Sequence, residues 1–202
     1  MINFIDSKTA KDISKTLLKA VIFFVILLTI TLPSILPSQT QEVGKKLGFF
    51  AVIVFILSTI PGTLRRFNAD GVLKKIQNLL MFSRAQIGIL MFLLAFAHYV
   101  FLFIIPTIKY GFTAPTLFKI FGIFALYASF PLFVTSNTWA KKKLKKNWQK
   151  LHNLTYLIMW LIFAHVAILG RVNTSILLIL AGTAQIMSLV FVRMNKSVEV
   201  VV

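Results

Sequence analysis

Six apolar runs, separated by short polar connectors, make up most of this sequence. An α-helix needs about 20 apolar residues to cross a bilayer core, and only helices and closed barrels satisfy their backbone hydrogen bonds there. Of the 202 residues, 58% are hydrophobic. The sequence therefore predicts an all-α integral membrane bundle of about six transmembrane helices, forming a single domain over 1–202. We expect any soluble flavin- or nucleotide-binding domain on another chain. The runs cover approximately 17–32, 47–60, 85–105, 114–134, 148–170 and 175–192.

Prolines follow the first three runs and predict where those helices end. Pro33, Pro61 and Pro106 each lack a backbone donor, and a proline disfavours helical conformation in the residue before it. Between the second and third runs, residues 72–82 read VLKKIQNLLMF. That pattern is typical of a short amphipathic helix lying on the membrane surface.

The formal net charge of +17 comes from basic residues in the connectors. Counting them by side places seventeen of the 22 Lys and Arg on one face of the membrane, including six between residues 141 and 150. Cytoplasmic loops carry such an excess, so both termini are expected in the cytoplasm. A nucleic-acid-binding protein would instead carry its basic residues on a folded surface, so no nucleic-acid partner is expected.

The absence of cysteine restricts the cofactors that this chain can hold. Disulfides, cysteine-ligated iron–sulfur clusters and covalent c-type haem are excluded. Acidic residues also avoid the apolar runs, which disfavours a proton or cation transporter. The five acids are Asp6, Asp12, Glu42, Asp70 and Glu199.

Two of the three histidines lie at matched depths inside apolar runs. His98 follows Arg84 by fourteen residues in the third run, and His165 follows His152 by thirteen in the fifth. At 1.5 Å per residue both lie about 20 Å from the face at which Arg84 and His152 lie. Since a b-type haem takes an axial nitrogen donor on each side, this depth predicts that His98 and His165 bind one haem iron. The alternative is that each ring only hydrogen-bonds across helices.

His152 and Arg84 share a level nearer the cytoplasm. They suggest a second haem, with His152 as one iron ligand and Arg84 near a propionate or the open axial side. An interfacial histidine and a positive-inside arginine are also ordinary at such positions, so both interpretations stay open. On a regular helix, thirteen residues leave about 140° between His152 and His165. Either the fifth helix is irregular near Thr155, or the two sites lie at different azimuths.

From about 44 to 170 the sequence resembles the ferric-reductase-like transmembrane domain family. LRRF follows the second run, the third contains R-x-x-x-G with its histidine fourteen residues after Arg84, LFVTSNTW closes the fourth, and WQKLHNLTY opens the fifth. Larger members have histidine where Arg84 stands, whereas the MsrQ-like (YedZ-like) haem-binding branch tends to have arginine. The resemblance implies that His98 and His165 bind one b haem and that His152, with Arg84 nearby, serves a second.

The resemblance also implies an electron-transfer subunit of a bacterial inner membrane, with no catalytic residue of its own. Electrons would pass from a cytoplasmic flavin reductase or the quinone pool, through haem, to a periplasmic molybdopterin-dependent oxidoreductase such as a methionine sulfoxide reductase. FMN or a quinone would be a further cofactor. Two alternatives stay open: a stand-alone ferric, metal or oxygen reductase domain, and a haem-free transporter or assembly protein with structural histidines.

Overall fold

The computed structural model describes residues 7–201, which fold into a helical bundle without a β-strand in that range. A 3-10 turn at Pro37–Gln39 joins α1 to α2, and a π-helical turn at Val100–Ile104 joins α3 to α4. Asp6 lies outside the described residues, as does the side chain of Glu199. The helices are α1 (Ser7–Ile35), α2 (Thr40–Arg66), α3 (Gly71–Tyr99), α4 (Ile105–Tyr110), α5 (Leu117–Val134), α6 (Thr138–Leu144), α7 (Lys146–His152), α8 (Leu154–Ile168) and α9 (Val172–Val201).

Six stretches of this bundle are long and apolar enough to cross a membrane. Large apolar side chains remain exposed along them, as expected for helices that face lipid instead of water. The prediction of an all-α membrane bundle with six spanning helices is therefore confirmed. The stretches are Lys15–Ile35, Pro37–Arg66, Gly71–Tyr110, Leu117–Val134, Lys146–Ile168 and Val172–Asn195.

The helix ends predicted from proline are wrong, because the helices accommodate these residues. Pro33 lies inside α1 and Pro61 inside α2. Pro106 lies in the first turn of α4, where a missing N–H costs little, and a π-helical turn precedes it. Helices that span membranes tolerate proline since neighbouring groups and local 3-10 or π turns satisfy the freed carbonyls.

The predicted surface helix is also wrong. Residues 72–82 form the first turns of α3, which continues unbroken to Tyr99. Asn68 and Gly71 take positive φ angles of 52° and 58° and reverse the chain between α2 and α3. Since α3 is continuous, Arg84 and His98, fourteen residues apart, lie on nearly the same face of one helix.

The fifth span is irregular near Thr155, which is the first of the two alternatives that the thirteen-residue spacing of His152 and His165 left open. It is interrupted at Asn153, two residues before Thr155, and divides into α7 and α8. The Asn153 N–H is shared between the carbonyls of Gln149 and Lys150, at 3.1 and 3.2 Å. The Thr155 hydroxyl donates to the His152 carbonyl at 2.8 Å. The last turn of α7 is therefore tightened, and the regular rotation from His152 to His165 is broken.

Two groups of buried apolar side chains hold the bundle together. One joins α1, α2 and α3, with Ala97 and Phe101 fully buried at its centre. The other joins α2, α3, α5, α8 and α9 around Phe55, Ile158 and Leu178, each 1% exposed. The second group ties the helix that carries His165 to the helices on either side of it.

Arg66 adds a polar connection among three helices. Its guanidinium donates to the Tyr156 hydroxyl on α8 and, at 3.2 Å, to Ser188 Oγ on α9. Ser188 is fully buried and donates in turn to the Gln185 carbonyl at 2.7 Å. Because both partners are neutral hydroxyls, these hydrogen bonds solvate the arginine charge without neutralising it.

We expect Arg66→Ala to destabilise the bundle, because both hydroxyls lose a charged donor. Hydrogen bonds of this kind contribute about 1–3 kcal/mol to the free energy of unfolding. The measurement is the midpoint of thermal unfolding in detergent, followed by circular dichroism. Arg65→Ala, an exposed neighbour on the same helix, is the control and should change the free energy by less than about 0.5 kcal/mol. Equal midpoints for the two variants would contradict the connecting role of Arg66.

Candidate functional site

His98 and His165 meet inside the bundle. Their ring centroids are 6.3 Å apart, and the ring planes are inclined at 83°. With a metal–nitrogen bond of about 2 Å, and about 1 Å more to the ring centre, two imidazoles on opposite sides of one metal ion have centroids about 6 Å apart. In the described part of the chain, no third His, Asp or Glu joins them in a metal-binding group. The site is thus a histidine pair with the separation that two axial ligands require.

Backbone carbonyls hold both rings in the same way. His98 Nδ1 donates to the Gly44 carbonyl at 2.8 Å, and His165 Nδ1 donates to the Phe118 carbonyl at 2.6 Å. A carbonyl oxygen can only accept, so each Nδ1 carries the proton and each Nε2 has a free lone pair. This arrangement is the one that metal-binding histidines usually show, because the Nδ1 bond sets the tautomer and the orientation of the ring.

Two glycines make room for the rings. A Cβ atom at Gly48 would lie 2.5 Å from His98 Nδ1, and a Cβ atom at Gly122 would lie 2.8 Å from His165 Nδ1. Each glycine lies four residues after the carbonyl that accepts from the same ring, so one helical turn supplies both the acceptor and the space. The α2 and α5 helices therefore hold the two histidines by equivalent contacts.

The pair lines a cavity of about 780 Å³ that is mostly apolar. Met91, Leu126, Ile158 and Ile162 are among the side chains of its wall. Cofactor sites usually have this volume, with an apolar lining and a few polar groups that orient the ligand. Its cationic rim consists of Lys45, Lys46, Lys119 and Arg171. Two imidazole donors, an apolar wall and a cationic rim fit a b-type haem with its two propionates.

His152 and Arg84 lie at a second level, outside the lining of that cavity. The two side chains are close enough to interact electrostatically. The hydrogen-bond partner of His152 is Thr135, whose Oγ1 lies 3.3 Å from Nε2. The His152 ring stacks on Trp148 at 3.9 Å between centroids, and Trp148 Nε1 donates to the Thr135 carbonyl at 3.0 Å. The imidazole is thus held in a defined position.

Sequence reasoning missed the residues that hold the histidine rings. The Gly44 and Phe118 carbonyls and the spaces at Gly48 and Gly122 were not predicted. The available signal was the Gly-x-x-x-Gly spacing of residues 44–48, which is typical of close helix approach in membranes. Every residue has a backbone carbonyl, so no side-chain pattern could indicate that the Phe118 carbonyl would accept a hydrogen bond from a histidine.

The fold and the site define an all-helical membrane protein whose bundle encloses a paired-histidine cavity. The family described as ferric reductase like transmembrane component matches residues 47–163. Since this match covers more than half of the chain, the protein belongs to that family.

A curated relative gives a narrower comparison. Over 66 residues the chain is 38% identical to the protein-methionine-sulfoxide reductase heme-binding subunit MsrQ of Yersinia enterocolitica serotype O:8 / biotype 1B. The match covers 33% of this chain and 33% of that protein. The chain is therefore ferric-reductase-like over most of its bundle and MsrQ-like over about a third of its length. No solved structure matches it.

Proposed function

We propose that this chain is a haem b-binding subunit that transfers electrons across a membrane. The observation that carries the proposal is the His98–His165 pair, with centroids 6.3 Å apart and both Nδ1 atoms bonded to backbone carbonyls. Membership of the ferric-reductase-like family and the partial likeness to a heme-binding subunit support it. If the two histidines were purely structural, nothing would require both of their Nε2 lone pairs to be available at the same cavity.

In this proposal His98 and His165 would hold one haem through their Nε2 atoms. The haem supplies one-electron transfer, and the protein positions the cofactor and sets its surroundings. The mostly apolar cavity wall would limit the access of water to a bound haem and so favour its less charged reduced state. Lys119 and Arg171 at the rim would pair with propionates, since charge-assisted hydrogen bonds to carboxylates are strong.

His152 would serve a second haem at the cytoplasmic level. Trp148 stacks on its ring and the Thr135 hydroxyl is bonded to its Nε2, so Thr135 would have to release that nitrogen for ligation. Arg84, near Arg65 and Arg66, would compensate a propionate in that positive field. One haem at the first pair and a second at His152 would form a route between the two faces of the membrane.

In this proposal the basic connectors set the orientation of the bundle, and the direction of electron transfer rests on the likeness to a heme-binding subunit. We place both termini in the cytoplasm of a bacterium and the bundle in its inner membrane, as one domain over 1–202 with its functional core at 44–170. Electrons would enter from a cytoplasmic flavin reductase, with FMN, or from the quinone pool. They would leave to a periplasmic molybdopterin-dependent oxidoreductase, in line with the methionine sulfoxide reductase named in the relative.

A reduced-minus-oxidised absorption spectrum tests the proposal. The purified protein should show the α and Soret bands of a low-spin b haem after dithionite reduction, because two nitrogen donors give a strong ligand field. Haem extracted per protein would give the number of sites, one or two. Membranes from cells that do not express the chain are the control. Spectra without b-type bands would overturn the proposal and favour the haem-free transporter or assembly protein.

A further inference from the structure

A second cavity, of about 640 Å³, lies at one end of α2 and α9. Three arginines line it: Arg65 and Arg66 from the last turn of α2, and Arg193 from α9. Two asparagines, Asn68 and Asn195, add amide groups. The positive φ of Asn68, 52°, turns the chain after α2 so that this residue reaches the cavity. The pocket thus gathers guanidinium groups from α2 and α9, and amide groups from α9 and from the turn after α2.

The positive charge of this pocket is not compensated within the described residues. The one ion pair that they form, Lys46 with Glu42, lies at the opposite end of α2. Arg66 is bonded to neutral hydroxyls, and Arg65 and Arg66 lie close enough to Arg84 for mutual repulsion. Planar guanidinium groups suit oxyanions that accept two parallel hydrogen bonds, and phosphate is the common example. An anionic phosphate group is therefore the ligand chemistry that the pocket fits.

The position of the pocket indicates where the phosphate comes from. Arg65 and Arg66 end the spanning stretch Pro37–Arg66, so the pocket lies at one membrane boundary. Its remaining walls are the apolar side chains of Leu189 and Val192. Basic pockets between the ends of spanning helices bind phospholipid headgroups, whose acyl chains then lie along the apolar helix surface.

We propose that the Arg65–Arg66–Arg193 pocket binds the headgroup phosphate of an anionic phospholipid. A free phosphate ion would use the guanidinium groups but gain nothing from Leu189 and Val192, whereas a lipid uses both. Because Arg66 also bonds to α8 and α9, a bound headgroup clamps the junction of three helices. A ligand that binds only the folded state raises its stability. The lipid should therefore protect the bundle against thermal unfolding.

The test compares phosphatidylglycerol with phosphatidylcholine of the same acyl chains. The full chain, purified in neutral detergent, is incubated with each lipid and analysed by native mass spectrometry and by thermal unfolding. We expect phosphatidylglycerol to be retained and to raise the unfolding midpoint, and phosphatidylcholine to do neither. The double variant R65Q/R193Q should lose phosphatidylglycerol retention by about tenfold or more, since two cationic contacts are removed. Arg66 is left unchanged because its bonds support the fold.

A charge-matched control separates a site from general attraction. The double variant K142Q/K146Q removes the same charge from two exposed positions, one before the fifth span and one at its first residue, and should retain the lipid normally. Equal loss in the two double variants would overturn the proposal. So would an equal rise of the midpoint with inorganic phosphate alone, which would assign the pocket to a soluble ion. Haem content is measured on the same samples, so loss of lipid binding with normal haem leaves the proposed electron-transfer function untouched.

Discussion

Replacement of either His98 or His165 by alanine will remove from the purified protein the low-spin b-type bands of the haem that this pair would bind. Each ring would supply one of two axial nitrogens, and within the described residues no third histidine or carboxylate stands near enough to replace it. Disturbing even the outer partners of a metal ligand typically costs about 10–100-fold in metal affinity, and losing the ligand costs more. We therefore expect haem per protein, measured by extraction, to fall more than about tenfold for that site.

His152→Ala is the matched control for this pair. It removes the same kind of side chain, from the same span as His165 but from outside the cavity lining. The variant should keep the haem of the pair and lose at most a second one. Full haem content in both His98→Ala and His165→Ala would mean that other residues bind the haem. Equal losses in all three variants would indicate a general failure of the bundle, which circular dichroism would reveal.

The juxtaposition of His98 and His165 could be predicted because membrane helices convert sequence offset into depth. Two helices that start at the same face and rise 1.5 Å per residue bring residues at equal offsets to one level. The 6.3 Å between the rings agrees with this reasoning. The hydrophobic runs themselves also sufficed to predict the all-α bundle, since few other structures satisfy a backbone in lipid.

The helix ends and the ring contacts could not be predicted, and for related physical reasons. Proline ends helices in water-soluble proteins more often than in membrane bundles, where packing compensates the lost hydrogen bond. Pro33 and Pro61 therefore lie inside helices here. The interruption at Asn153 depends on one N–H shared between two carbonyls. Likewise, the orientation of each histidine depends on a backbone carbonyl and on a missing Cβ of a neighbouring helix. Such contacts arise from the approach of two backbones, which side-chain patterns do not encode.

Gly48→Ala will disturb the site almost as strongly as loss of a ligand, although it adds a single methyl group. The new Cβ would lie 2.5 Å from His98 Nδ1 and 2.7 Å from Cε1. The ring must move, and any movement away from α2 lengthens its 2.8 Å hydrogen bond to the Gly44 carbonyl. Because that bond orients the ligand, we expect haem affinity to fall by about 10–100-fold. Titration of the haem-depleted protein with hemin measures the loss.

Gly62→Ala on the same helix is the control for Gly48→Ala. It tests whether a loss of haem affinity comes from contact with the His98 ring or from adding a methyl group to α2. A Cβ at Gly62 meets nothing within 4 Å, and replacing a helical glycine with alanine usually stabilises the helix by about 1 kcal/mol. The control should bind haem normally and unfold at an equal or higher temperature. Gly122→Ala, whose Cβ would lie 2.8 Å from His165 Nδ1, should reproduce the loss from the other side. Normal haem affinity in both site variants would show that the rings relax freely, and that α2 and α5 do not determine their orientation.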